Sequence, residues 1–471
     1  MSNRPTRPPA IPTILQRRST DEFAAPLYTE KQRGAVRRVL DDGPRSARRV
    51  AEALGDYWRS RRGTAAGLRS LNDAIGVDYY QVPREASLDQ AAADEALGGD
   101  DVVIDVQTHY VADRSMPTWR ESLIDTYRAL MPTWWTGLDG FEAHNLAEYL
   151  RCVFLESETA LAVLTSAPGL EDTRMLWNEE MSGTRELLDR LGADGRLLNH
   201  AVVHPDAAGE VDAMARVQEQ HQPAGWKVYT IGHMAGMGFV EGSDWWLDDE
   251  KVGVPFLERV RELGNPVVCA HKGISALVPT GSPRDIGPAA VAFPDLQFLI
   301  YHSAYEMPMG DDPEEGPYTA ETANVGTNRL VTTLRDAKLA PGSNVYAELG
   351  TTWFCLIRRP QEAAHVLGKL LLAVGEDNVI WGSDSIWYGP TQPAIDAFRA
   401  FQIPEEMRER YGYPEITPAM KRKILGENAA RVYDLDIDGL RSRTRDDDLA
   451  WVKAAIDEYR AHGVPVAAGS S

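Results

Sequence analysis

Residues 102–110 read VVIDVQTHY. The run begins apolar and then places Asp105, Gln107 and His109 at every second position. Successive side chains of a strand point to opposite faces, so these three share one side of an extended segment. A near-continuous Val/Ile run is what a strand buried on both faces of a parallel sheet requires.

Working outward, seven further runs have the same texture: ALAVLTS (160–166), LLNHAVVH (197–204), GWKVYT (225–230), PVVCAH (266–271), QFLIYH (297–302), NVYAEL (344–349) and NVIWGSD (378–384). Helical patterns fill most of the gaps, among them EEMSGTRELLDRLG (179–192), VPFLERVRELG (254–264) and AAHVLGKLLLAVG (363–375). Alternating short apolar runs and amphipathic helices predict an α/β protein with repeated βα units. Eight units over residues 101–435 predict a (β/α)₈ barrel of the TIM type. A doubly wound open sheet is the alternative. The number of strands that end in polar residues favours the barrel, whose strand tips converge on one rim. The segment TPAMKRKILGENAARVYDL (417–435) is expected to complete the outer ring.

Residues 1–100 read as a tail followed by a helical extension. Four prolines in residues 1–12 predict a loose start, and Leu40, Val50, Leu54 and Trp58 recur at helical spacing. Residues 436–471 add a charged helix near 446–461 and a small-residue tail, which would serve as a homo-oligomer contact or as decoration.

The 471 residues carry a formal charge of −21, which excludes a general binder of nucleic-acid phosphates. Cys152, Cys269 and Cys355 are widely spaced and show no disulfide framework, so a reducing compartment is expected. There is no apolar run long enough to span a membrane. Arg17-Arg18 resembles an export signal only superficially, because no apolar stretch follows it. These observations predict a cytoplasmic protein acting on a small-molecule substrate.

Several strands end in side chains that bind metals or move protons: His109, His271, His302 and Asp384. Imidazoles and a carboxylate around one open position suit a divalent ion that activates water. The segments DVQTHYV, VVCAHKG, FPDLQFLIYHSAYE, VIWGSDSIWYG and ILGENAARVY together resemble the amidohydrolase superfamily, and most closely its amidohydrolase-2 branch. That branch includes aminocarboxymuconate-semialdehyde decarboxylase and the resorcylate-type decarboxylases, and the resemblance covers about 101–435. It implies His109, His271 and Asp384 as metal ligands, with His302 as the catalytic acid–base.

The sequence departs from that pattern at Gln107, where the branch has the first histidine of an H-x-H pair. Gln107 is then a weaker metal ligand, a hydrogen-bond partner of water or substrate, or the sign of a lapsed metal site. Zinc is the expected ion, with manganese or Fe(II) as alternatives that accept oxygen ligands. Were Lys227 carboxylated, a second ion would join His271 and His302; otherwise Lys227 pairs with an acidic side chain or with substrate. Glu348, Glu306 and Trp387 are placed on the same rim, Glu348 to orient His302 or contact substrate. Trp134, Trp135, Trp245, Trp246, Trp353 and Trp387 predict an aromatic-lined pocket. The glycine-rich stretch 231–246 reads as a lid.

Three functions fit these residues. The first is metal-dependent hydrolysis of an amide, ester or lactone, with Asp384 or His302 as base. The second is metal-dependent, non-oxidative decarboxylation of an aromatic or enol-type acid. The third, raised by Gln107, is a non-catalytic metal or ligand binder.

Overall fold

The computed structural model describes residues 11–18, 27–115, 144–170, 173–235, 238–274, 279–307 and 313–462. Among the described residues there are ten strands: β1 (Val103–Thr108), β2 (Thr159–Leu164), β3 (Leu197–Val202), β4 (Gly225–Tyr229), β5 (Met234–Ala235), β6 (Gly238–Phe239), β7 (Val267–His271), β8 (Gln297–Tyr301), β9 (Val345–Glu348) and β10 (Val379–Ile380). β5 and β6 form a two-stranded antiparallel hairpin; the other eight form one parallel sheet in the order β1-β2-β3-β4-β7-β8-β9-β10.

The sheet closes on itself. Val106 N donates to Trp381 O at 3.2 Å, Asp384 N to Gln107 O at 2.9 Å, and His109 N to Ser385 O at 2.6 Å, so β1 pairs with the chain leaving β10. Strand order that follows chain order, with helices such as Asn178–Arg190, Gly253–Leu263 and Pro360–Ala373 in between, makes this a (β/α)₈ barrel. All eight expected strands are found within a few residues of their predicted limits.

Hydrogen bonds between strands that are not neighbours show how the interior is filled. Tyr301 on β8 donates its hydroxyl to Val106 O on β1 at 2.8 Å. His200 on β3 meets the same hydroxyl at 3.0 Å and, through its other nitrogen, Tyr433 at 3.0 Å. Around them pack Ile104, Val106, Leu161, Val163, Cys269, Leu299 and Ile380, with Ala429, Ala430 and Val432 from the closing helical segment. Fully burying each Leu, Ile or Val contributes about 1.5–3 kcal/mol. Gly426 lets that segment press against β1, since a Cβ there would stand 1.8 Å from Val102 O.

The expected helical extension is present as Glu30–Arg49, Leu54–Arg59, Arg61–Ile75 and Gln90–Leu97. Thr29 and Gln32 form a capping box on its first helix. Its buried stripe is Gln32, Ala35, Val39, Gly43 and Ala47; Leu40, expected on that face, is 47% exposed. Residues 1–10 of the expected loose start lie outside the described residues; beyond them Ile11, Ile14 and Leu15 are buried, and Arg358 donates to the carbonyls of Ile14 and Gln16 at 3.4 and 3.1 Å. The extension is tied to the barrel by Tyr80 OH to Ile357 O at 2.6 Å and Gln81 N to Ala400 O at 2.8 Å.

Helices Ile437–Arg445 and Asp448–His462 follow the barrel, with Arg196 paired to Asp447 at 2.5 Å. The three cysteines are free and buried. Among the described residues, no helix is long and apolar enough to cross a membrane.

Candidate active site

The C-terminal ends of the barrel strands bring together most of the residues singled out in the sequence. Gln107 is the last residue but one of β1 and His109 lies just beyond the strand, and the β1–β10 closure sets both beside Asp384. Gln107 Nε2 donates to Asp384 Oδ1 at 2.9 Å, and His109 Nε2 lies 3.0 Å from the same oxygen. The other carboxylate oxygen, Oδ2, accepts from the Thr351 hydroxyl, which also contacts Tyr388 OH at 2.6 Å. Gln107, His109, Thr351 and Asp384 are all buried.

Backbone carbonyls orient the histidines. His109 Nδ1 faces Thr165 O at 2.9 Å, and His302 Nδ1 faces Gly350 O at 2.9 Å. A carbonyl only accepts, so each Nδ1 carries the proton and each Nε2 is turned toward the site. The His271 ring stacks on Tyr229 with centroids 4.9 Å apart and meets His302 edge-on at 4.7 Å. Lys227 Nζ lies over Tyr301 at 3.8 Å and Tyr229 at 4.4 Å.

Glu348 bonds His302 through the main chain. Its Oε2 accepts from the backbone N–H of His302 at 3.0 Å and its Oε1 from that of Gly350 at 2.5 Å. It therefore orients the His302 main chain rather than its ring. Burial raises the Glu348 carboxyl to about 8 despite those two donors. Burial also acts to raise Asp384, but the bond and charge of His109, with His302 and Thr351, outweigh it and leave that carboxyl below its ordinary value. His271 is held well below the usual imidazole range by burial and then by the Lys227 charge.

Local strain concentrates here. Ile274, His302, Ser303, Ala304, Thr351 and Asp384 have φ between 50° and 65°, a region costly for residues with a Cβ. Such conformations persist where the surroundings over-determine them, commonly at functional sites.

The remaining candidates divide. Trp387 is buried beside His109 and His144, with ring centroids 6.3 and 5.2 Å away. Trp353 is buried, packs edge-on to Phe398 and Phe401, donates to Ala394 O at 2.9 Å, and lines a cavity with Thr13, Ile14, Trp381 and Tyr388. Trp246 is covered by Arg284, 3.7 Å above its ring. Glu306 is engaged by Arg329 and the Gly326 N–H. Trp134 and Trp135 lie outside the described residues. The described part of the 231–246 stretch is held by Trp245 N to Thr230 O at 2.9 Å and His233 N to Ser243 Oγ at 3.2 Å.

Two features escaped the sequence reading. Thr351 and Tyr388 support Asp384 through hydroxyls, a residue type with no periodic signature. His233 pairs through Nδ1 with Asp206, and its ring lies 5.9 Å from that of His204 just beyond β3. The nearness of His233 to Asp206 becomes visible only once β3 and β4 pair.

The donor set fits a divalent ion. His109 Nε2 and Asp384 Oδ1, 3.0 Å apart, are a nitrogen and an oxygen of the kinds a divalent ion takes. Gln107 Oε1 is buried without a hydrogen-bond donor, an oxygen suited to a hard ion. Among the described residues no group of three His, Cys, Asp or Glu side chains makes a cation cage. The groups brought together at Asp384 are instead one amide, one imidazole and one hydroxyl, with His271 packed between Tyr229 and His302.

A family model described as amidohydrolase matches residues 104–435. No curated protein matches the chain in sequence. The 5-carboxyvanillate decarboxylase of Novosphingobium aromaticivorans, solved with manganese and 4-hydroxy-3-methoxy-5-nitrobenzoic acid, is 14% identical; the match covers 71% of this chain and 97% of that one, at a TM-score of 0.44. A dihydroxybenzoic acid decarboxylase of Polaromonas, solved with manganese and 2-nitroresorcinol, is 15% identical over 71% of this chain and 97% of that one, with a TM-score of 0.43. A protein of Acinetobacter baumannii, described as a probable 2-pyrone-4,6-dicarboxylic acid hydrolase and solved with citric acid, is 14% identical over 71% of this chain and 99% of that one, with a TM-score of 0.44.

Proposed function

The chain belongs to the amidohydrolase family of enzymes, and on that premise we propose that it hydrolyses an amide, ester or lactone of a small molecule at the mouth of the barrel. His109 and Asp384, with the oxygen of Gln107, would hold one divalent ion, and His271 would join them only on a shift of its ring, since among the described residues these side chains do not form a cage of three as they stand. Zinc is the first choice, and manganese or Fe(II) suits the amide oxygen equally well. When bound, the ion supplies Lewis-acid chemistry, polarising a carbonyl and acidifying water.

The observation that carries the reading is the set of donors on Asp384. Gln107 and His109 address one oxygen and Thr351 the other, which keeps the group a carboxylate. A carboxylate held in place accepts a proton from water. His302, its Nδ1 fixed on Gly350 O, is oriented to pass a proton at Nε2 to a leaving group. Lys227, over the rings of Tyr229 and Tyr301, places a cation beside the same mouth for an anionic part of the substrate.

The His302 geometry also favours a second reading, decarboxylation of an aromatic or enol-type acid, because that reaction needs one oriented acid to protonate carbon. Incubation with lactones, esters, amides and hydroxybenzoates separates the two. Acid release without CO₂ supports hydrolysis, and CO₂ release from a hydroxybenzoate replaces it with decarboxylation. Metal analysis of the purified protein bears on the ion directly.

A further inference from the structure

The helical extension has a cavity of its own. About 340 Å³ opens among residues 39–49, 57–58, 66–73 and 87–88, within the size range of small-molecule sites. No barrel strand contributes to its lining. Its floor is rigid: Trp58 is 1% exposed, and Tyr57 donates its hydroxyl to Ser87 O at 2.9 Å. Gly43 lets the first helix lie flat against that floor, since a Cβ there would come within 2.0 Å of the Trp58 ring.

The walls are cationic in an acidic protein. Arg45, Arg49 and Arg69 line the cavity. The helix Glu30–Arg49 holds seven Lys or Arg against three Asp or Glu, while the whole chain carries −21. Both acidic residues of the lining are already engaged, Asp42 with Arg45 at 2.6 Å and Asp73 with Arg38 at 3.3 Å. Arg69 donates to Val82 O at 3.1 Å, which holds its guanidinium in place. Among the described residues, Arg49 has no carboxylate partner. Guanidinium groups offer paired N–H donors that match carboxylate and phosphate oxygens.

We propose that this cavity binds a small carboxylate- or phosphate-bearing molecule between Arg49 and Arg69, at a site separate from the barrel mouth. Titration calorimetry of the full chain at low salt, where exposed charges are least screened, tests it with inorganic phosphate and succinate as probes. Wild-type protein binds at least one probe with a Kd below about 1 mM, and Arg49→Glu weakens that binding at least about tenfold. Arg49 is exposed, so the variant keeps the wild-type melting temperature; Arg49→Glu/Arg69→Gln weakens binding further. Succinate binding alone identifies a carboxylic acid, and phosphate binding alone a phosphate ester. Absence of heat with both probes, or equal affinity in wild type and Arg49→Glu, overturns the site.

Discussion

Gln107 Nε2 and Asp384 Oδ1 lie 2.9 Å apart although 277 positions separate them in the chain. A carboxylate only accepts, so the amide nitrogen faces Asp384 and Oε1 is left as a buried acceptor with no donor. An imidazole at this position offers a softer, stronger nitrogen ligand. Gln107→His is expected to tighten binding of zinc about 10- to 100-fold, the usual scale for an added or improved contact at a metal. Competition against a chromogenic chelator measures it, and unchanged affinity places Gln107 away from the ion.

Asp384→Asn replaces one carboxylate oxygen with an NH₂ group, which must then face a donor from Gln107 or Thr351. It also removes the negative charge opposite His109. We expect kcat/KM to fall by about 10²–10⁴-fold, the range for losing a positioned acid or base, with the circular dichroism spectrum unchanged. Wild-type turnover in a correctly folded variant would remove Asp384 from the chemistry.

The barrel was legible because a strand buried on both faces shows its apolar run whichever way it turns, and eight such runs stood in chain order. The His109–Asp384 contact followed from the polar tips of β1 and β10 once the ring closed. The buried stripe of the first helix was harder to see, because Ala35, Gly43 and Ala47 carry little hydrophobic weight and Leu40, pointing outward, carries much. Thr351 went unnoticed because neither a hydroxyl nor a positive φ has a sequence period.

Thr351 offers a test that separates function from stability. It is β-branched with φ 56°, a conformation that costs of order 1–3 kcal/mol, and its hydroxyl donates to Asp384. Thr351→Gly removes the strain and the hydroxyl together. The added chain freedom of glycine costs about 0.5–1 kcal/mol, so the melting temperature should hold or rise. Activity and metal affinity should fall about tenfold or more, because support of a ligand is lost. Thr351→Ser, which keeps the hydroxyl, should recover most of both. A glycine variant that melts lower with full metal affinity would make Thr351 a purely structural residue.

His200 should make the fold sensitive to acid. Tyr301 OH donates to Val106 O, so it accepts from His200 Nδ1–H, while Tyr433 OH donates to His200 Nε2. Both nitrogens are satisfied in the neutral ring, and burial, aided by the Lys227 charge, lowers its pKa from 6.5 to about 3. The unfolded chain therefore binds one more proton than the folded one between those values. Stability rises with pH across that window and is lost as pH falls from about 6.5 toward 3, at up to about 1.4 kcal/mol per pH unit from this one group. Urea melts of wild type and His200→Gln between pH 5 and 7.5 measure it. The variant starts less stable but should show a shallower loss on acidification, and equal slopes would show that His200 is protonated in the folded barrel.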